Sequence, residues 1–169
     1  KGEEIGQASH YYSLTRLGTD GRLTIDGETF QVTGTSWMDH ELGAAVLGQG
    51  LVGWDCVSLV DEASIVRVRA LGGISAIAIS HPHFYASNEA WSRAFGDCPV
   101  YIHNADAEWV QYPGPAVKLW EGETLEILPG STLINTGGHF EGSQALHWAA
   151  GCEGKGAILT GDTVTVVMD

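Results

Sequence analysis

The feature of this sequence that most constrains its fold is an uninterrupted apolar run that ends in two histidines. Residues 76–87 read AIAISHPHFYAS, and the run, which begins at Ile74, is bounded by Gly72-Gly73 before it and by His81 after it. A continuous run of this kind is typical of a β-strand that is covered on both faces, as in a parallel sheet. The chain must therefore supply structure on both sides of this strand.

The segments around this run predict an α/β arrangement from Asp61 onward. DEASIVRVRALGG begins with acidic residues, carries apolar residues at helical spacing and stops at glycine, NEAWSRAF predicts a second short helix, and PVYIH predicts a second strand. Strand, helix and strand in succession predict a parallel sheet. After Pro115 the chain returns to segments that are typical of hairpins.

Residues 11–60 predict extended structure instead. RLTIDGETFQVTG contains two short alternating runs around Asp26-Gly27, which is the commonest signal for a hairpin turn. We therefore predict two domains: a β-rich segment over residues 1–54 and an α/β domain over residues 55–169.

The composition of the chain restricts its partners and its compartment. It contains 8 Lys+Arg against 21 Asp+Glu, which gives a formal net charge of -13. Such a charge repels polyanions and attracts cations, so we expect neither nucleic acid nor a membrane as a partner. The three cysteines are widely spaced and odd in number, which predicts no disulfide framework. With no long apolar span and no signal-peptide pattern, we predict reduced thiols in the cytoplasm.

Three segments place metal-binding side chains directly after apolar strands. His81 and His83 end the opening run and share one face if the chain stays extended, LINTGGHFEGS supplies His139, and AILTGDT supplies Asp162. Three imidazoles and one carboxylate are a ligand set for a borderline metal ion, with zinc as the first choice. We predict that the four form one metal site. The alternative is that each histidine is only a surface or hydrogen-bonded residue.

The order of AISHPHFY, GGHFEGSQALHW and AILTGDTV resembles the metallo-β-lactamase-like hydrolase superfamily, from about Trp54 to the C-terminus. In that superfamily the first segment is H-x-H-x-D-H, the second carries a lone metal histidine and the third carries a bridging aspartate. The resemblance implies an αββα sandwich in which His81, His83 and His139 hold a metal ion and Asp162 approaches it.

The sequence departs from that pattern in two places. Tyr85 and Ala86 stand where the superfamily has aspartate and histidine, so one metal is expected and a complete second site is not. The superfamily also has a metal histidine downstream of the TGD segment, whereas this sequence stops at Asp169. We therefore expect a truncated, half αββα sandwich with extra N-terminal antiparallel strands, completed by homodimerisation.

The N-terminal part resembles a different family. YYSLTRLGTDGRLTIDGETFQVTGTSWMDHELG and LVGWD are similar to the lipocalin-like secreted hydrolases and carotenoid hydratases (hydroxyneurosporene synthases), over about residues 8–55. The two resemblances meet in GWDCVSLVDE, which predicts a natural or engineered chimera joined near Trp54. Asp39, His40 and Glu41 in this part either add a ligand or general base to the site or make local hydrogen bonds.

These features together predict a metal-dependent hydrolase that acts on a small neutral ester-type bond: a lactone, an aryl ester or a phosphotriester. Zinc held by three histidines lowers the pKa of bound water to about 7. Asp162 is predicted to orient that water or accept its proton, and Tyr85 either donates a hydrogen bond to the developing oxyanion or packs. Two alternatives stay open: an inactive metal-binding dimer, and a lipocalin-like binder of apolar ligands.

Overall fold

The computed structural model of this chain describes residues 10–25, 28–47, 50–56 and 60–163. The chain divides into two compact units, a smaller one over Ser9–Leu42 and a larger one that contains Gly43–Asp169. This division lies earlier in the chain than the domain boundary predicted after Trp54. Within the ranges described, no helix has the length and apolarity needed to cross a membrane.

The smaller unit is an antiparallel pair of long strands. β1 (His10–Ile25) pairs with β2 (Glu28–Leu47), and Ile25 lies opposite Glu28. This register leaves two residues to connect the strands, as the sequence predicts for Asp26-Gly27, although those two residues lie outside the described ranges.

The first sheet of the larger unit is mainly parallel. Its parallel strands are β3 (Gly50–Trp54), β4 (Ile74–Ala78), β5 (Val100–His103) and β6 (Val117–Trp120), and residues 43–47 of β2 pair with β3 antiparallel. The parallel pairs confirm the predicted α/β class. The prediction of hairpins throughout the segment after Pro115 is wrong for β6, because that strand joins β5 in parallel instead of pairing with the strand that follows it.

Two helices and two 3-10 helices connect the parallel strands. They are α1 (Glu62–Ala70), a 3-10 helix over Pro82–Ser87, α2 (Asn88–Ala94) and a 3-10 helix over Asn104–Trp109. α1 begins where the Asp61 carboxylate accepts a hydrogen bond from the backbone N–H of Ser64 at 2.7 Å. It ends before Gly72 and Gly73, both of which have positive φ.

The second sheet is an antiparallel meander in the order β10-β9-β8-β7. Its strands are β7 (Thr124–Leu128), β8 (Ser131–Asn135), β9 (Gln144–Trp148) and β10 (Ala157–Leu159). A short helical segment, α3 (Gly151–Gly154), separates β9 from β10, and a 3-10 turn over Gly161–Thr163 follows β10.

Two apolar clusters hold these layers together. One joins the two sheets and is built on Val52, Trp54, Ala78, Trp120, Leu133 and Leu146. The other joins the parallel sheet to its helices and is built on Cys56, Ile77, Ile79, Trp91, Cys98, Val100 and Ile102. The strand of the opening apolar run, β4, contributes to both clusters, which is why its sequence is apolar on both faces. A helical layer packed on two sheets agrees with the predicted αββα sandwich.

Candidate metal centre

The four predicted metal ligands lie in three loops that meet at one place. His81 and His83 follow β4 of the parallel sheet, whereas His139 follows β8 and Asp162 follows β10 of the meander. One ligand atom from each of the four lies within 4.8 Å of those from the others. The ends of strands from two sheets therefore converge on a single group of metal-binding side chains.

The distances within this group are those of side chains that surround a common point. His81 Nε2 lies 3.2 Å from His83 Nδ1 and 3.5 Å from Asp162 Oδ2. The His139 ring centroid lies 4.7 Å from that of His81 and 5.2 Å from that of His83. His81 is buried, and the other three are exposed. The group thus has one anchored ligand and an open side toward solvent, which is the arrangement of a catalytic metal site rather than a closed structural one.

Hydrogen bonds determine which nitrogen of His81 faces the group. Ser80 Oγ donates to Asp55 Oδ2 at 2.9 Å and lies 2.8 Å from His81 Nδ1. Because an ionised carboxylate only accepts, the serine proton goes to Asp55, and Ser80 Oγ accepts from His81 Nδ1–H. The lone pair of His81 is then on Nε2, the atom that faces His83 and Asp162. This is the tautomer that a metal ligand needs, so the donor set fits a bound divalent ion.

Asp55 is the residue of this centre that the sequence did not identify as part of the site. It follows β3, and its carboxylate also accepts the backbone N–H of Ser80 at 2.6 Å. Its φ of 55° lies in the left-handed region, which is unfavourable for a residue with a side chain. The position of Asp55 directly after a strand could have indicated its role. Because β3 and β4 are parallel neighbours, the residues that follow them lie at the same edge of the sheet.

Burial has a strong effect on the charge of His81. Its pKa is lowered from the usual 6.5 to about 4, mainly because burial disfavours the imidazolium. The Asp162 carboxylate opposes this shift, whereas His83 and His139 add to it. His81 is therefore neutral at pH 7, as metal binding requires.

The loop that carries Asp162 packs tightly against the histidine loop. A Cβ atom at Gly161 would lie 2.5 Å from Ser80 Cβ and 2.6 Å from Ser80 Oγ, and Gly161 also has a φ of 55°. Only glycine meets both conditions without strain. The TGD segment therefore needs its glycine to bring Asp162 beside His81.

The loop that carries His139 is supported by a buried carboxylate. Asp106 Oδ1 accepts the backbone N–H of Gly142 at 2.8 Å, and a Cβ atom at Gly142 would lie 2.6 Å from Asp106 Cγ. Burial raises the pKa of Asp106, and the Gly142 hydrogen bond partly offsets that effect. Asp106 therefore supports this loop through its hydrogen bond and close contact with the backbone of Gly142.

Tyr85 and Cys56 lie outside the metal-binding group. Tyr85 packs against the apolar cluster between the sheet and the helices, and burial raises its pKa, with smaller contributions from Asp106 and Asp55. Cys56 is buried in the same cluster, and its thiol pKa is also raised, mainly by burial. Cys56 therefore stays protonated and packs. The hypothesis about Asp39, His40 and Glu41 concerns side chains that lie outside the described part of the chain.

Comparison with solved structures identifies the architecture. The di-iron form of the protein TTHA1623 is similar with a TM-score of 0.60 and 22% sequence identity, over 75% of this chain and 68% of that chain. The metallo-β-lactamase SMB-1 in a complex with mercaptoacetic acid gives a TM-score of 0.53 and 19% identity, over 68% of this chain and 54% of that one. The fold is that of the metallo-β-lactamases. An N-acyl homoserine lactone hydrolase with product at its catalytic metal centre shares the metallo-β-lactamase fold with a TM-score of 0.52 and 17% identity, over 90% of this chain and 74% of its own.

Sequence comparisons give two further matches. The family model described as AttH-like matches residues 1–69. The uncharacterized protein YmaE of Bacillus subtilis (strain 168) is 49% identical over 116 residues, which are 69% of this chain and 42% of YmaE. This chain therefore spans less than half of the length of that relative. Neither match supports the predicted chimera or the predicted likeness to carotenoid hydratases, and the AttH-like match continues past the junction predicted near Trp54.

Proposed function

We propose that this protein is a metal-dependent hydrolase that uses an activated water molecule to cleave a neutral ester-type bond. The observation that carries the proposal is the convergence of His81, His83, His139 and Asp162, with ligand atoms within 4.8 Å of one another. These residues come from both sheets, so their proximity is a property of the folded chain and not of a local motif. The metallo-β-lactamase fold of the chain supports the same class of reaction.

The donor set supports zinc as the metal, with one ion per chain. Three imidazoles and one carboxylate suit a borderline ion, and three of the four side chains are exposed. When bound, zinc supplies Lewis acidity and lowers the pKa of a water molecule to about 7. Tyr85 and Ala86 provide no ligands for a second ion beside it.

Two side chains are assigned to the chemistry itself. The Asp162 side chain is 57% exposed, so its carboxylate can orient the attacking water and accept its proton. Tyr85 remains a neutral phenol at pH 7, since its pKa is raised, and it lines a cleft next to His83. A neutral phenol can donate a hydrogen bond to the oxyanion that develops on the substrate.

The charge of the chain supports a neutral substrate. With a formal net charge of -13, the protein repels polyanions and highly charged esters, which is also why we propose no nucleic-acid or membrane partner. Lactones, aryl esters and phosphotriesters are neutral at the reacting centre. They are therefore the substrates that we propose.

Two further proposals concern the state of the protein. Homodimerisation is supported by exposed Leu119 and Ile158, which lie on β6 and β10, one edge strand of each sheet. A cytoplasmic location is supported by three cysteines that form no disulfide.

The test combines metal analysis with assays on an aryl ester, a lactone and a phosphotriester. His83→Ala should lose the metal and its activity together, because it removes a ligand. Asp162→Ala should retain some metal and lose about 100-fold in turnover, since the proton acceptor is gone. His147→Ala, on β9 outside the group, should behave as wild type. Equal turnover by wild type, His83→Ala and Asp162→Ala would contradict the proposed function.

A further inference from the structure

A cleft of about 270 Å³ opens directly beside the metal-binding group. It lies between the 3-10 helix over Pro82–Ser87, the start of α2 and the segment that follows β5. Its lining includes His83, Tyr85, Asn88, Glu89, Trp109 and Tyr112. Because His83 belongs both to the cleft and to the metal-binding group, a molecule in the cleft lies next to the metal centre.

One side of the cleft offers an aromatic surface. Trp109 and Tyr112 are 49% and 77% exposed, and both line the cleft. Trp109 is held edge-to-face against Phe140, with ring centroids 5.8 Å apart, and Phe140 in turn lies 5.3 Å from the His83 ring. The aromatic surface therefore has a defined position relative to the metal ligands, and it is available to a flat ring.

The lining of the cleft also includes an asparagine. Asn88 lines the cleft, and the residue as a whole is only 5% exposed. A polar side chain in the lining of a cleft can fix the orientation of a bound ligand. The Asn88 amide both donates and accepts, so its best complement is another amide.

The residues that line the cleft favour a neutral ligand. Glu89 is the carboxylate among the lining residues, and its Oε1 is paired with Arg93 one turn further along α2. The aromatic surface and the Asn88 amide are both neutral. A neutral group therefore meets no uncompensated charge among the residues that line the cleft.

We infer that this cleft binds a neutral aromatic carboxamide group of the substrate, with the ring on Trp109 and Tyr112 and the amide on Asn88. The group would lie beside His83, so that an ester bond attached to it reaches the metal centre. The binding site itself follows from the lining residues, whereas its use for a substrate rests on the proposed function.

Benzamide is the probe that tests the site, measured by ligand-observed NMR with the purified protein. Toluene provides the ring without the amide, and cyclohexanecarboxamide provides the amide without the flat ring. We expect benzamide to bind at least tenfold more tightly than either. Adding a metal chelator should leave benzamide binding unchanged. Binding that disappears with the metal would place benzamide on the ion and overturn the inference.

Two substitutions should remove the two parts of the recognition separately. Asn88→Leu should abolish the preference for benzamide over toluene while toluene still binds, because the partner of the amide is removed and the aromatic surface is kept. Trp109→Ala should weaken both aromatic ligands about tenfold. Phe30→Ala, an exposed aromatic on β2, is the control and should bind as wild type does.

The outcomes separate this inference from the proposed function. No saturable benzamide binding by wild type, or an unchanged preference in Asn88→Leu, would overturn the inference even if the protein hydrolyses esters. Benzamide binding with the expected pattern in a protein that hydrolyses none of the esters would support the site and contradict the proposed function.

Discussion

At the scale of single residues, the chemistry of the centre depends on a chain of three side chains. Asp55 accepts from Ser80, and Ser80 accepts from His81, which leaves the His81 Nε2 lone pair directed at the other ligands. The three residues contact one another although Asp55 lies far from the other two in sequence. Hydrogen bonds of this kind make a ligating imidazole more basic and hold its ring in place.

Ser80→Ala should weaken metal binding by about 10- to 100-fold, because Nδ1 of His81 loses the acceptor that determines its tautomer. Competition with a chromophoric chelator measures the affinity. Ser131→Ala is the matched control, since Ser131 is also fully buried but its Oγ has no hydrogen-bond partner among the described residues. Equal affinities for the two variants would show that Ser80 does not position His81.

The stability of the metal-free protein should decrease as the pH falls from about 6.5 to about 4. His81 has a pKa of about 4 in the folded chain and 6.5 as its usual value, so the unfolded chain takes up the proton first. The stabilisation is complete above pH 6.5 and is lost toward pH 4, with a size of roughly 3 kcal/mol at most. Urea denaturation at several pH values in the presence of chelator measures it.

His81→Gln provides the reference for this pH dependence, because it removes the titrating imidazole. The variant should lose less stability than wild type over the same range. If both proteins respond equally, His81 does not carry the effect and the acidic side chains do.

At the scale of elements, the centre depends on how β9 and the loop after β10 contact the end of β4. Gln144 on β9 donates from its side chain to the carbonyls of Ile79, at 2.7 Å, and Tyr101, at 3.0 Å, and it accepts from Trp120 Nε1. Its backbone N–H donates to the carbonyl of Ser80. One buried residue of the meander thus holds the parallel strands immediately before the histidine loop.

Gly161→Ala should weaken metal binding, because the added methyl group would overlap Ser80 and push either Asp162 or Ser80 away from His81. Gly154→Ala is the matched control: Gly154 also has positive φ, but a Cβ atom there meets nothing within 4 Å. Both substitutions should lower the free energy of unfolding by about 1 kcal/mol, because alanine is unfavourable in this backbone conformation.

Only Gly161→Ala should lower the affinity for the metal in the chelator competition. A loss of affinity in Gly154→Ala of the same size would indicate a general effect on stability. Retention of full affinity in Gly161→Ala would show that the two loops have room to separate.

At the scale of the whole molecule, the larger unit joins two sheets whose loops share one ion-binding group. His81 and His83 come from the parallel sheet, and His139 and Asp162 come from the meander. A metal ion bound at this point would cross-link the two sheets. We therefore expect folding of the larger unit to be coupled to metal binding.

Removing the metal should lower the thermal midpoint of wild type, because a ligand that binds only the folded state stabilises it. The gain is about 2.7 kcal/mol when the free metal is at 100 times its Kd. Thermal denaturation with and without chelator measures the difference. His83→Ala should show little or no shift on chelation, and an equal shift in both proteins would place the stabilising metal elsewhere.

The sequence predicted those features of the fold and the site that depend on residues close together in the chain. The sequence predicted the helix from Glu62, the strands from Ile74 and Val100, and the types of metal ligand. Periodicity, helix caps and residue chemistry can all be recognised from residues that are neighbours in the sequence. The parallel pairing of β6 was missed because Val117–Trp120 carries no local mark of its distant partner.

The sequence by itself determined which side chains are available to a metal ion and that each follows a strand. Only the tertiary structure decided that they meet, that Asp55 and Ser80 select the His81 tautomer, and that Asn88 lines a cleft beside them. The physical reason is that tautomer, burial and hydrogen bonding depend on residues brought together from distant parts of the chain, whereas sequence patterns report only on neighbours.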